Sequence, residues 1–333
     1  MSYNTINISA DEAVAFVGDL HIDTATPASR ADQSYIASCI SKLTDVLETC
    51  KSNNVRAVFF AGDIFNRIQA THEAVNAAGE IFTRYKQSGI NLYTILGNHD
   101  IIRNSYENFQ RSPLQTLFTF GVIEHINAAQ GIEIVCEGKT MRVSAVDYYE
   151  YPTPAETEHG RFNVLLAHQF YDTSELIAER KHNILPEDVA NWHYDMMYLG
   201  HDHEEYNTVI ESDCYIFRTG SLMRATLHKY NHTRKPKFLI IKNLNRLTET
   251  PLSELSTLAP IKHRPFDEVI SMVSTAKKAA NDISSLKEVL SGLASKLAAN
   301  TETDTDRIYT VLMSDPELPV ECRNLILKYM EEN

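Results

Sequence analysis

The chain has no apolar run long enough to cross a bilayer, which excludes a membrane-spanning helix. It has few cysteines. Cys39, Cys50, Cys136, Cys214 and Cys322 are scattered, odd in number and without metal-type spacing. That excludes a disulfide scaffold or a thiolate metal cage, and fits reduced thiols in a cytosolic compartment. Basic charge is also short: 31 Lys and Arg stand against 44 Asp and Glu, for a formal charge of −13. A protein that grips nucleic acid through a broad basic face carries the opposite balance. Any nucleic-acid contact is therefore local, metal-assisted or supplied partly by a partner. Residues 1–11 lack the basic start and greasy run of a secretory signal, so a cytoplasmic location is expected. Internal repeats and long low-complexity segments are absent too.

What is present is ordinary for a soluble globular protein: 333 residues, 43% hydrophobic and 23% charged, enough for a large core and more than one domain. Val14 to Gly18 is a short apolar run that ends in Asp19-Leu20-His21. Tyr35 to Cys50 carries Ile36, Ile40, Leu43, Val46 and Leu47 at helical spacing. Val55 to Ala61 is rich in β-formers and ends in Gly62-Asp63. Ala74 to Tyr85 reads as a helix stopped near Gly89, and Asn91 to Leu96 as a buried strand ending in Gly97-Asn98-His99-Asp100. Alternating strands and helices with short links predict right-handed βαβ units and a mostly parallel sheet. From Gly121 onward short β-like runs dominate: 122–123, 132–135, 141–146, 164–167, 196–199, 206–210, 215–219 and 237–241. They predict a second sheet packed on the first. The expected class is α/β, a two-sheet αββα sandwich over residues 1–250, followed by a helical C-terminal region over 251–333.

Five clusters fall at the ends of predicted strands: Asp19-Leu20-His21, Gly62-Asp63, Asn98-His99, His168, and His201-Asp202-His203. Open α/β sheets bind ligands at the carboxyl ends of their strands. Every cluster offers oxygen or imidazole donors and none a thiolate, which suits borderline divalent ions such as manganese, iron or zinc. Asp63, at the end of a central strand, is the natural bridge between two ions, which in such sites sit about 3.5–4 Å apart. A pair of that kind clamps a phosphate and acidifies water. His99 offers an imidazole that can give or take a proton near neutral pH, with Asp100 as a group that can orient it. Any one of these clusters alone is most often a turn; the set of five in one order is not.

Taken together, Gly18-Asp19-Leu20-His21, Gly62-Asp63-Ile64-Phe65, Gly97-Asn98-His99-Asp100, His168 and Gly200-His201-Asp202-His203-Glu204 resemble the calcineurin-like metallophosphoesterase superfamily. The resemblance covers about residues 14–241, and Gly220-Ser221-Leu222 with Arg224 bring it nearest the Mre11/SbcD nuclease branch, including its short phage-encoded members. It implies that Asp19, His21 and His203 hold one ion, that Asn98, His168 and His201 hold the other, and that Asp63 bridges. It implies that His99 is a non-ligand acid serving the leaving oxygen. It further implies manganese as the working ion, DNA as substrate, a partner of the SbcC/Rad50 type, an SMC-like ABC ATPase, and a homodimer with its interface near Ile101 to Phe120, where ordinary core packing explains the same residues, Tyr106, Phe109, Leu114, Leu117 and Phe118, equally well.

One departure concerns substrate handling. Where the nuclease branch often has a His after its Gly-Asp-x-Phe stretch, this chain has Asn66, which can hydrogen-bond a phosphate but is no comparable proton donor. The runner-up is a small-molecule phosphodiesterase or protein phosphatase, although the Gly-Asp-x-Val-Asp-Arg-Gly stretch of Ser/Thr phosphatases is missing. Arg218, Arg224, His228, Lys229, Arg234, Lys235 and Lys237 form either a DNA-backbone contact or a solvated hairpin. Residues 147–151 (Asp-Tyr-Tyr-Glu-Tyr) either stack nucleobases or end an edge strand. Asp23 reads as a loop carboxylate. The amphipathic run Val320 to Met330 is either part of a lid or lays Leu325, Ile326 and Tyr329 into the ATPase partner.

Overall fold

Alternation along β2 (Ala13–Val17) sends Val14 and Phe16 to one face and Ala13, Ala15 and Val17 to the other, and all five are buried. A strand buried on both faces needs a layer on each side. A computed structural model describes residues 2–27, 29–101, 109–148, 150–171, 183–226 and 229–270 and supplies both layers. β2 pairs in parallel with β3 (Val55–Phe60), β3 with β4 (Asn91–Thr94), and β4 with β5 (Glu124–His125). On the other edge of β2 run β12 (Lys237–Ile241) and then β13 (Ser256–Pro260), both antiparallel to their neighbours. The second sheet has the order β1-β6-β7-β8-β9-β11-β10. Its strands are β1 (Ser2–Ile8), β6 (Gln130–Cys136), β7 (Lys139–Val146), β8 (Arg161–Ala167), β9 (Met196–Leu199), β10 (Tyr206–Glu211) and β11 (Cys214–Arg218).

Val14, Phe16, Phe59 and Tyr93 meet Val143, Val164, Leu166 and Tyr198 between the sheets. Phe16 stacks on Phe59 at 5.1 Å between centroids and tilts against Tyr198 at 5.4 Å. The other face of the first sheet is covered by α1 (Tyr35–Ser52) and α2 (His72–Gln87), through Leu43, Val46, Leu47, Ala78 and Phe82. Ser34 and Thr71 cap these helices by accepting the amides of Ala37 and Ala74. On the outer face of the second sheet, Val189 and Trp192 of a short helix, Pro186–Trp192, pack on Leu165 and Met197. The architecture is the expected αββα sandwich.

Two features differ from the sequence reading. Ser2–Ile8 is an edge strand parallel to β6, hidden in the sequence because only Ile8 of its seven residues is buried. The chain does not leave the sandwich at residue 250, since β13 completes the first sheet by pairing with β12 and the first compact unit runs Met1–Met272. The second unit, Val273–Asn333, with the Val320 to Met330 run, lies outside the described residues. Of the stretch Ile101 to Phe120, read as a dimer interface or as core packing, residues 102–108 also lie outside, and Phe109, Leu114 and Leu117 pack in the core under α2.

The turns after β2, β3 and β4 are laced together rather than left as separate loops. The His21 amide donates to the Asp63 carbonyl at 2.9 Å, and the Ile22 amide to Ile64 at 3.0 Å. The Tyr148 amide donates to the Leu96 carbonyl at 2.9 Å, and the Gly200 amide to Ala167 at 2.9 Å. Close approach explains the glycines. A Cβ on Gly97 would overlap the Asp63 carboxylate and stand 2.7 Å from the Asp63 amide nitrogen. The carboxyl ends of the parallel strands thereby present their turn residues to one another.

Candidate metal centre

All seven donors that the sequence places at strand ends converge. Asp19 Oδ2 lies 3.7 Å from His21 Nε2 and 3.6 Å from His203 Nε2, and those two imidazole nitrogens are 2.7 Å apart. Asp63 Oδ2 lies 3.7 Å from His21 Nε2 on one side and 3.3 Å from His168 Nε2 on the other. Asn98 Oδ1 is 3.0 Å from His168 Nε2 and 2.8 Å from His201 Nδ1. Asp63 therefore stands between a set made of Asp19, His21 and His203 and a set made of Asn98, His168 and His201. Three of these residues hold left-handed backbone: His21 at φ 49°, Asp63 at 48° and His201 at 78°. Non-glycine residues adopt that conformation only where surroundings impose it, and such strain concentrates at functional sites.

The electrostatics fit divalent cations. Burial holds His21 and His201 well below the ordinary imidazole range, and brings His203 down to about 4. Burial opposes charge on His168 too, but the carboxylates of Asp63 and Asp19 outweigh it and raise the group to about 10. Burial pushes the Asp19 carboxyl up to about 7, whereas the positive charge and hydrogen bond of His168 overcome burial at Asp63 and hold its carboxyl far below the usual range. Neutral imidazoles of His21, His201 and His203 and the anionic carboxylate of Asp63 thus face one space, beside a His168 that holds its proton until a cation displaces it. That donor set suits borderline divalent ions. Donor atoms of Asp19, His21 and His203, of Asp19, Asp63 and His168, and of His21, Asp63 and His99 each fall within 4.8 Å of one another.

The surrounding residues fix these donors. His168 Nδ1 donates to the Ala61 carbonyl at 2.6 Å, which leaves Nε2 facing the centre. Tyr148 packs on His168 and His201 at centroid distances of 5.9 and 5.0 Å, and Phe170 on His201 at 4.2 Å. His99 borders the centre with its ring 4.9 Å from that of His21. Its amide donates to Asp63 Oδ1 at 2.8 Å, and its Nδ1 donates to the Asn66 carbonyl at 2.6 Å. Asp100 does not orient His99 as the sequence suggested. Asp100 Oδ2 instead accepts the amides of Asp63 and Gly97, each at 2.9 Å.

The two residues assigned to substrate are placed differently from each other. Asn66 lies at the rim, its amide donating to Asp23 Oδ2 at 2.9 Å, where Arg67 Nε also donates at 2.7 Å. Asp23 is thus a buried anchor for the rim and not a plain loop carboxylate. Arg224 is buried, and its guanidinium donates to the carbonyls of Asn231 and Arg264. The supposed basic patch is largely interior: Arg218 pairs with Asp202 at 2.6 Å, and Arg234 donates to the Ser221 carbonyl at 2.6 Å. Leu227, His228 and the Lys229 side chain lie outside the described residues. Tyr151 is exposed but sets its ring edge against Trp192 at 5.4 Å; Tyr149 is outside the described set. Asp147, which the sequence places only within the 147–151 run, has a bracing role there was no reading for: its carboxylate accepts from Leu96 N at 2.6 Å and from His125 Nε2 at 2.9 Å. Its signal was present, an Asp directly after the apolar run Ala145-Val146.

Residues 13–205 match the calcineurin-like phosphoesterases, and the chain belongs to that family of divalent-metal-binding phosphoester hydrolases. It is 26% identical over 113 residues to the DNA double-strand break repair protein Mre11 of Methanopyrus kandleri, a match covering 34% of this chain and 24% of that protein. It is 33% identical over 87 residues to exonuclease subunit 1 of Enterobacteria phage T4, covering 26% of this chain and 24% of the relative. The matches thus span about a quarter of the length of each relative. A 5′-nucleotidase from Candida albicans SC5314 superposes over 79% of this chain and 54% of its own, with a TM-score of 0.43 and 12% identity.

Two outcomes are expected at this centre. Asp63→Ala abolishes hydrolysis and leaves one bound ion or none by elemental analysis, whereas two ions in that variant would remove Asp63 from the bridging role. Ligation needs a neutral His168 Nε2, and that group, raised to about 10, carries a proton at pH 7 in the metal-free chain. Loading the chain with manganese at pH 7 therefore releases protons. Titration calorimetry in buffers of different ionisation enthalpy should give heats that differ accordingly. Heats independent of buffer would count against it.

Proposed function

We propose that the chain is a two-metal phosphodiesterase that hydrolyses DNA, a nuclease of the Mre11/SbcD type. The observation that carries this reading is the position of His99. It stands beside seven converging donors, tied to Asp63 through its amide and to Asn66 through Nδ1. Asp19, His21 and His203 would hold one ion, and Asn98, His168 and His201 the other, with Asp63 between them. Manganese is the ion we favour. Divalent ions bound there supply positive charge to a phosphoryl group and acidify water.

The chain's own residues do the rest. With Nδ1 committed to a carbonyl, His99 exchanges protons through Nε2 and is placed to protonate the departing 3′-oxygen of a diester. Because the carbonyl and not the side chain of Asn66 holds His99, the replacement of the family's usual His at this position leaves that orientation intact. Asp23 keeps Asn66 and Arg67 at the rim, where the guanidinium, 57% exposed, retains donors for a phosphate. Tyr148 and Phe170 shield the His168 and His201 side from water.

DNA as substrate is supported by the names of the two relatives and tested by digestion. Labelled single- and double-stranded DNA should be cleaved with manganese and spared with a chelator. Hydrolysis of bis-p-nitrophenyl phosphate without cleavage of DNA would assign a small-molecule diester instead. In the same assays His99→Ala should keep its metal and lose roughly 10²–10⁴-fold on DNA. The loss should be much smaller on the activated ester, whose leaving group needs no proton. Equal losses on both would give His99 another role.

An SbcC/Rad50-type ATPase and a homodimer complete the proposal. A chain of net charge −13 gains from a partner that holds the DNA. Truncation at Pro316 should leave manganese-dependent diester hydrolysis intact and end co-purification with such an ATPase. An inactive or insoluble truncation would make the C-terminal region part of the folded core.

A further inference from the structure

A carboxylate–imidazole pair stands beside the metal centre and belongs to neither of its donor sets. Asp147 directly follows β7 in the second sheet, and His125 ends β5, the edge strand of the first. His125 Nε2 lies 3.0 Å from Asp147 Oδ1 and 2.9 Å from Oδ2. A carboxylate oxygen accepts, so the imidazole donates through the proton on Nε2. The ring is held on its face as well, stacked on Phe118 at 5.3 Å between centroids and 3° between planes. The Asp147 side chain is fully buried, and that of His125 largely so. Burying a carboxylate without donors is expensive. His125 is one of the donors that offset this cost, and the Leu96 amide, 2.6 Å from Oδ1, is another.

Through these bonds the pair reaches all three donors of one metal set. Leu96 is tied twice: its amide donates to the Asp147 carboxylate, and its carbonyl accepts the Tyr148 amide at 2.9 Å. Leu96 leads through Gly97 into Asn98, whose Oδ1 lies 3.0 Å from His168 Nε2 and 2.8 Å from His201 Nδ1. Tyr148, the residue after Asp147, lays its ring against His168 and His201. Two residues of chain or one ring contact thus separate the Asp147 anchor from Asn98, His168 and His201. The other set is held from other directions. The Asp19 carbonyl accepts the Leu222 amide at 2.9 Å, and the His21 amide donates to the Asp63 carbonyl at 2.9 Å.

We propose that His125 is a positioning residue for the ion held by Asn98, His168 and His201, acting through Asp147 and the Leu96 peptide. The proposal rests on the two-metal reading of the centre. His125 touches no metal donor; it holds the carboxylate that holds the strand end. Without the Nε2 donor the buried carboxylate can turn toward another partner, and the Leu96 amide loses a fixed anchor. Partners that orient metal ligands from outside are worth about 10–100-fold in metal affinity. His125 stands one link further out, which puts its effect at the lower end.

The test is a calorimetric titration of manganese into the metal-free full chain. Wild type, His125→Phe, His125→Gln, Asn98→Ala and the Asn98→Ala, His125→Phe double variant are compared. Phe keeps a flat ring on Phe118 and removes the donor. Gln gives up the ring and brings an amide nitrogen to the region of Nε2. The wild type should bind two ions. His125→Phe should weaken one of them about tenfold and leave the other unchanged, and His125→Gln should recover most of that loss. On the Asn98→Ala background His125→Phe should cost nothing further, because the set it positions is already broken. A residue that only stabilised the fold would weaken both ions, and Gln, lacking the ring, would be the worse variant. Should His125→Phe fail to fold, His125→Leu, also without a donor, takes its place. One ion or none in the wild type overturns the two-metal reading and the proposal with it. Two ions in the wild type with unchanged affinities in His125→Phe, equal weakening of both ions, or no recovery by Gln overturns the proposal alone.

Discussion

The buried carboxylate of Asp63 is the constraint on which the rest of the site depends. It is held at φ 48°, with Oδ2 between His21 and His168 and Oδ1 on the amide of His99. One side chain thus touches both sets of donors and the backbone of the group beside them. An isolated buried carboxylate would take up a proton and lose that reach. Here the charge of His168 keeps it anionic even without a cation. The bare Gly97 leaves the space in which the carboxylate lies.

Other carboxylates hold the frame around it, and they do so through backbone amides. Asp100 joins the turn of Asp63 to that of Gly97. Asp147 fixes Leu96 and so the entry to Asn98. Asp202, between His201 and His203, accepts the amide of Glu204 at 3.0 Å and pairs with the buried Arg218. Hydrogen bonds from amides to a carboxylate are stronger than neutral ones and are directional. They act beside the apolar anchors of the same loops, Leu20, Ile22, Ile64, Phe65 and Leu96, which are buried in the core. Part of the chain's acidic excess is therefore structural, committed inside the strand-end loops and not displayed as a repulsive surface.

The strand ends were legible because each follows an apolar run and breaks it with Gly, Asp or His. The αββα sandwich was legible because β2, β3, β4 and the runs of the second sheet are short, apolar and separated by turn residues. What escaped the sequence depends on contacts distant along the chain. Ser2–Ile8 is polar in pattern and becomes a strand only by pairing with Gln130–Cys136. Asp23 is ordinary until Asn66 and Arg67 fold onto it. Asp100 lies next to His99 in sequence, yet it bonds the backbone of Asp63, and the Asn66 carbonyl orients the imidazole instead. The arginines after Gly220 have the composition of a surface patch, and carbonyls such as those of Ser221, Asn231 and Arg264 turn them inward. A carbonyl acceptor is available at every residue, so composition carries no trace of such a choice.

That inward turn gives the charge distribution its logic. Negative charge gathers where cations are to be held, at the ends of β2 and β3. Positive charge gathers on the α1 side of the segment from Gly220 to Arg224. Leu222 separates the two, its amide toward Asp19 and its carbonyl toward Lys42. Burying either cluster alone would be costly, and their mutual attraction across one peptide segment is weakened by the distance between them. A net charge of −13 therefore averages over clusters of opposite sign that the fold keeps apart.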